Sequence, residues 1–104
     1  MVQYPAGEPG SADPVPLDLV QRRLHALDHP VRMRLFRTLA RGPHTTRELA
    51  DAWRLTDPEV SRHLAVLRKA GLVSTHRANR YVQYRLDLSA TARLGVDLIE
   101  AILR

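Results

Sequence analysis

Residues 56–72, TDPEVSRHLAVLRKAGL, read as one helix with both ends marked. Thr56 is placed to accept from the first-turn amides, Glu59 three residues on reaches back to the cap, and Gly71 supplies the left-handed residue that ends the helix. Val60, Leu64 and Leu67 recur at i, i+4 and i+7 and form a buried stripe. Pro58, Arg62, Ala65 and Lys69 point the opposite way, with Ser61, His63 and Val66 on the flanks. A phosphate or base edge approaching that outer face meets Arg62 before any apolar atom.

Upstream, Thr45 and Glu48 repeat the capping pattern and open a short helix through about Arg54 that buries Leu49, Ala50 and Trp53. Two residues then separate it from the helix capped by Thr56. A short helix, a tight turn and a longer helix with facing apolar sides form the helix-turn-helix pattern, whose second helix enters the major groove. Many small helical domains contain such a corner, and the residues that follow narrow the choice. Val73–His76 and Tyr81–Leu86 alternate and are rich in Val, Thr and Tyr, with Arg77-Ala78-Asn79-Arg80 between them as a hairpin tip. Asn79 is the tip residue most able to adopt positive φ. Arg77 and Arg80 at the tip and Arg85 at the base of this wing are placed to reach backbone phosphates or a minor groove.

Outward from this centre, Leu17, Val20, Leu24 and Leu27 repeat at helical spacing, with Arg22 and Arg23 on the other side of a first helix over 17–27. His29 precedes Pro30, which costs no hydrogen bond in a first turn, so Val31–Arg41 makes a second helix ended by Gly42-Pro43. Its Val31, Leu35, Leu39 and Phe36 face the core. Residues 1–16 hold Pro5, Gly7, Pro9, Gly10, Pro14 and Pro16 with little that packs, and read as a mobile or loosely draped arm. At the other end, Asp87 or Ser89 caps a final helix running to the C-terminus. Leu94, Leu98, Ala101 and Ile102 lie on one side of it and Val96, Ile99 and Leu103 on the other, more than one domain surface covers. The economical covering is the same helix, with the first, from a second copy. Leu17, Val20, Leu24, Leu94, Leu98, Ile99 and Ile102 are the expected contacts of that twofold dimer. The expected fold is mainly α with a small β-hairpin: about five helices plus a two-stranded wing, one domain over 17–104.

The totals agree. Sixteen Lys and Arg, fifteen of them Arg, stand against eleven Asp and Glu in 104 residues, a formal net charge of +5. Glu8, Asp13 and Asp18 lie in the first eighteen residues, which hold no base, so the folded part is more basic than the average and attracts polyanions. The chain has no cysteine, hence no disulfide, thiolate metal site or thiol redox chemistry. No apolar run approaches the roughly 20 residues that cross a bilayer, and no signal-peptide layout is present, so the cytoplasm is the expected compartment. No nucleophile elbow, phosphate loop or paired acid and base is visible, and Ser61 with His63 lacks an orienting third group, so no catalytic residue is assigned.

Three segments carry a family resemblance. They are Leu27-Asp28-His29-Pro30-Val31-Arg32-Met33-Arg34-Leu35, then Val60-Ser61-Arg62-His63-Leu64 with Leu67-Arg68-Lys69-Ala70-Gly71-Leu72-Val73, and Tyr81-Val82-Gln83-Tyr84-Arg85-Leu86. In this order, over residues 24–104, the chain resembles the ArsR-type winged helix-turn-helix transcriptional regulators. The resemblance implies a homodimer bound to an imperfect inverted repeat in promoter DNA, most often repressing by excluding polymerase. It implies Ser61, Arg62 and His63 as groove-facing, with a partly buried packing role as the competing reading of His63. Thr56 with adjacent amides becomes a phosphate cradle, Pro58 joins the outer face, and Arg77, Asn79 and Arg80 become flanking contacts. Metal-sensing members place thiolates in the first helix of the helix-turn-helix, where this chain has Glu48-Leu49-Ala50-Asp51-Ala52-Trp53, or His and carboxylates on the last helix. Here no histidine follows His76, and Asp97 with Glu100 is one carboxylate pair, read as a solvated rim. No metal ligand and no cofactor are assigned. The effector, small molecule or protein, is left open. The rival readings are a winged-helix module for protein contacts and a DNA-binding fragment of a larger regulator.

Overall fold

The structure, a computed structural model, describes residues 14–104. The elements run α1 (Leu17–Leu27), α2 (Pro30–Leu39), α3 (Thr46–Trp53), α4 (Asp57–Lys69), β1 (Val73–Ala78), β2 (Tyr81–Leu86), α5 (Leu88–Ala92) and α6 (Leu94–Leu103). This is the mainly α architecture with a two-stranded antiparallel wing that the patterning implies, with six helices among the described residues. The sixth arises where one final helix was expected. Asp87 caps α5, its Oδ1 accepting from the Ala90 amide at 2.9 Å, and the chain restarts after Arg93 as α6.

The core gathers Leu35, Phe36 and Leu39 of α2, Leu49 and Ala50 of α3, Val60, Leu64 and Leu67 of α4, and Leu72 and Val73 at the start of the wing. The stripe read in residues 56–72 is therefore the buried one. Its end is a Schellman turn: Gly71 at φ +75° lets the Leu72 amide donate to the Leu67 carbonyl at 3.0 Å and the Gly71 amide to Arg68 at 2.9 Å. Leu67 and Leu72, the apolar pair that accompanies such an end, are both fully buried.

β1 and β2 pair from Val73–Leu86 to Ala78–Tyr81, so Asn79 and Arg80 alone make the turn, Asn79 taking φ +58°. The first strand is thus two residues longer than its alternation implied, and Arg77 stands within it. A third short segment pairs with the wing: His44 and Tyr84 exchange backbone hydrogen bonds of 3.1 and 2.7 Å. At the hairpin's base the Asp87 amide donates to the Leu72 carbonyl at 2.8 Å. The wing is consequently anchored to the loop before α3 and to the end of α4.

Several expectations need correction. Arg23 was placed on the outer face of α1 and Val20 among the dimer contacts, yet both are buried in the chain's own fold, while Leu17 and Leu24 are exposed. The helix is turned so that a guanidinium faces inward, which periodicity counted over apolar residues misses. Arg32 is also buried: its Nε donates to the Ala26 carbonyl at 2.6 Å and its Nη2 to that of His25 at 3.3 Å, which also accepts from the Asp28 amide, so the guanidinium caps the end of α1. Asp97, expected on a solvated rim, is 3% exposed. Trp53 is not a core residue but 36% exposed, its indole N–H donating to Thr38 Oγ1 at 2.9 Å with Arg34 Cζ 5.8 Å from its ring. An indole that keeps its polar edge wet settles at such a boundary. Leu94 and Leu98 are half-buried, leaving Ile99, Ile102 and Leu103 as the open apolar face of α6. Of the expected arm, residues 1–13 lie outside the described residues; the Pro16 carbonyl starts α1 by accepting from Leu19 and Val20, and the Val15 carbonyl accepts from Arg104.

Candidate nucleic-acid interface

The reading helix is held at its start by α3. Thr45 and Glu48 form the full reciprocal capping box, with bonds of 2.8 and 3.1 Å. The Thr45 amide donated to Glu48, opposed by burial and helped by the Thr45 hydroxyl and nearby His44, holds that carboxyl below the usual 4.5. After Trp53 the chain turns through Arg54 in the left-handed region, φ +55°, and Thr56 caps α4. Arg47 of α3 lies 3.6 Å from Asp57 and 4.0 Å from Asp51, tying the two helices at the turn.

The second cap differs from the first. Thr56 Oγ1 accepts from the Glu59 amide at 3.2 Å and donates to Glu59 Oε1 at 3.0 Å, so the carboxylate answers the hydroxyl, not the cap amide. This weakens the phosphate cradle expected there. Pro58 has no N–H, the Glu59 amide is taken, and the Val60 amide donates to the Thr56 carbonyl. Only the Asp57 amide is left in the first turn among the described residues, beside the Asp57 and Glu59 carboxylates that already answer the helix dipole.

The outer face of α4 is open as the sequence implies. Pro58, Ser61, Arg62, Ala65, Arg68 and Lys69 are exposed, and Ser61, Ala65, Arg68 and Lys69 line a concavity of about 390 Å³ with Tyr84 of β2. Lys69 shares the outer face of α4 as its spacing implies, whereas Tyr84 joins this groove only once the wing folds back. Arg77, Asn79, Arg80 and Arg85 are exposed along the wing. The ion pairs among the described residues engage Arg22, Arg23, Arg47 and Arg93. Among the described residues Arg62, Arg68, Lys69, Arg77 and Arg80 have no carboxylate within ion-pair distance, so helix and wing present positive charge.

His63 lies on the flank of α4, partly covered. It is half-buried, its ring 4.8 Å from that of His29, which caps α2 by accepting the Val31 amide on Nδ1 at 3.1 Å. Burial, then the neighbouring His29, Arg32 and Arg62, push the His63 imidazole below its ordinary value of 6.5 against the weaker pull of Glu59. The imidazole thereby joins α4 to the start of α2.

A family model described as a helix-turn-helix domain matches residues 27–76. The biofilm growth-associated repressor of Agrobacterium fabrum is 34% identical over 109 residues, covering 98% of this chain and 92% of that protein. The transcriptional repressor BigR of Xylella fastidiosa superposes with a TM-score of 0.64 at 35% identity, over 80% of this chain and 85% of its own. The homodimeric winged helix-turn-helix DNA-binding domain Mb0332 of Mycobacterium bovis, described as a possible ArsR-family regulator, gives 0.68 at 24% identity, over 84% and 79%, a likeness of fold. Near-full-length identity to a repressor, the same helix-turn-helix and wing, and the three matching segments place this chain in the family of ArsR-type winged helix-turn-helix transcriptional regulators.

Proposed function

We propose that two copies of this chain form a twofold homodimer that binds an imperfect inverted repeat in duplex DNA and represses transcription by occupying it. One observation carries the reading: the exposed face of α4 and the adjoining wing present Arg62, Arg77 and Arg80, none of them ion-paired with a carboxylate among the described residues. Ser61, Arg62 and Pro58 enter the major groove, with Arg62 reading a base edge, and Arg77, Asn79 and Arg80 contact the flanking backbone. Thr56 acts by fixing the start of α4. His63 positions the helix from behind.

The dimer is supported by the exposed apolar side chains of α1 and α6, which pack against each other within the subunit. Ile99, Ile102 and Leu103 open on α6 beside Leu17 and Leu24 on α1. The protein acts without a catalytic centre and responds to something other than a metal ion. The chain has no cysteine, and among the described residues no three His, Asp or Glu are grouped to hold one. No described helix is long and apolar enough to cross a membrane, and the cytoplasm, where promoter DNA lies, is the proposed compartment.

The test is side-chain specific. Duplexes are selected from a random pool with the native protein, and Arg62→Ala and Arg80→Ala are compared on the best duplex and on random DNA. Arg62→Ala loses about 1–3 kcal/mol on the selected duplex and little on random sequence, whereas Arg80→Ala weakens both alike. Equal losses on both for Arg62→Ala remove its base-reading role.

A further inference from the structure

A buried charged joint connects the outer helices to the reading helix. Arg23 of α1 is nine-tenths buried. Its Nε donates to the Ala70 carbonyl at the end of α4 at 2.8 Å, and its Nη1 lies 3.6 Å from Asp97 Oδ2 on α6. The other carboxylate oxygen of Asp97 lies 3.7 Å from Arg93 Nε, and Arg93 Nη2 lies 3.9 Å from Glu100. A Cβ on Gly71 would stand 2.9 Å from Arg23 Nη2, so the guanidinium runs beside the one residue there without a side chain. A single side chain thereby touches α1, the end of α4 and α6.

Stability is a poor reason for such a joint. Two apolar side chains of similar volume often hold a buried site as well as an ion pair, because desolvation offsets the attraction. Direction is what the guanidinium adds. Its planar fork fixes angles to each partner, and the carbonyl it caps is one of the last of α4, where the helix dipole favours a cation. The end of α4 is therefore set against α1 and α6, the helices that carry the open apolar face.

We infer that Arg23, oriented by Asp97, is a positioning residue for DNA reading: it sets where α4 stands relative to the dimer face, and so which half-site spacing the dimer accepts. The inference rests on the dimeric DNA-binding reading above. It extends that reading from which side chains touch DNA to what fixes the distance between the two reading helices.

The experiment uses the full chain and the duplex most enriched from a random pool by the native protein. Versions with one or two base pairs inserted between half-sites each add about 3.4 Å and 35° of rotation per pair. The native protein should bind the inserted duplexes at least about tenfold more weakly. The double variant Arg23→Met with Asp97→Leu removes both charges and keeps an unbranched chain at 23 and a Cγ-branched one of equal heavy-atom count at 97. It should remain folded in thermal unfolding, dimerise equally and bind the original duplex, yet discriminate against insertions by about threefold or less. Arg23→Lys, which keeps the charge and loses the fork, should lose discrimination too, and decides between the outcomes if the double variant does not fold. Full discrimination by a folded, dimeric variant overturns the inference. Failure of the native protein to bind any duplex instead overturns the reading beneath it, so the two failures are distinct.

Discussion

Replacing Ile99 and Ile102 together by Gln tests the twofold interface where it is most exposed. The two side chains are 54% and 59% exposed in the single subunit, and both lie on the outward side of α6. Fully burying an isoleucine side chain is worth about 1.5–3 kcal/mol, so the open half of each contributes about 0.8–1.7 kcal/mol when a partner covers it. A twofold interface uses each side chain twice, which gives about 3–7 kcal/mol for the four and weakens dimerisation by roughly two to five orders of magnitude. Gln keeps helix propensity close to that of its neighbours, so the change acts on the face and not on the helix. Sedimentation velocity across a dilution series reads the dissociation constant, and thermal unfolding of the monomeric variant checks that the fold survives. A variant that dimerises as tightly as native, or a native chain that is monomeric at every concentration tested, refutes the reasoning.

Two glycines predict changes of opposite sign. Gly71→Ala forces a side chain into the left-handed region and against Arg23, costing about 1–2 kcal/mol. In a domain of this size that lowers Tm by roughly 4–16 °C in calorimetry. Gly95→Ala, within α6 and with nothing near its would-be Cβ, raises stability by about 0.5–1 kcal/mol in the same measurement. Glu48 titrates below its ordinary 4.5, so its contribution is present above that value and lost as pH falls through the lower folded one; Tm of Glu48→Gln should fall less steeply than native below pH 4.5. His63 is also lowered in the fold, so the unfolded chain takes up its proton first and stability declines as pH drops below 6.5; His63→Gln should flatten that part of the Tm profile, and an unchanged profile contradicts the assigned burial.

The helix-turn-helix and wing were legible because their signals are local. Thr45 with Glu48, Thr56 with Glu59, Pro30 and Gly71 mark helix ends through backbone donors and acceptors a few residues away, and α1 begins and ends where periodicity put it. Asn79 at the wing turn is readable for the same reason. What was missed depends on distance in sequence. The joint of Arg23 with Ala70 and Asp97 spans 47 and 74 positions, and nothing in the spacing of Arg23 says that its charge will be buried. Arg54 in the left-handed turn carries no local signal either, since arginine does not prefer that region. Trp53 illustrates a third failure: an apolar residue at a core-facing spacing came to rest at the boundary because Thr38 offered its N–H a partner. The outward face of α4 was legible, but which of its residues share a groove with Tyr84 was settled only by the fold of the wing.

The most direct measurement is the affinity of the native protein for its selected duplex as a function of salt. A dimer that neutralises about eight phosphates through α4 and the wing gives log affinity falling with log salt at a slope near −7. A flat response, or no binding to any duplex at low ionic strength, contradicts the claim that this exposed, unpaired arginine surface is built for DNA.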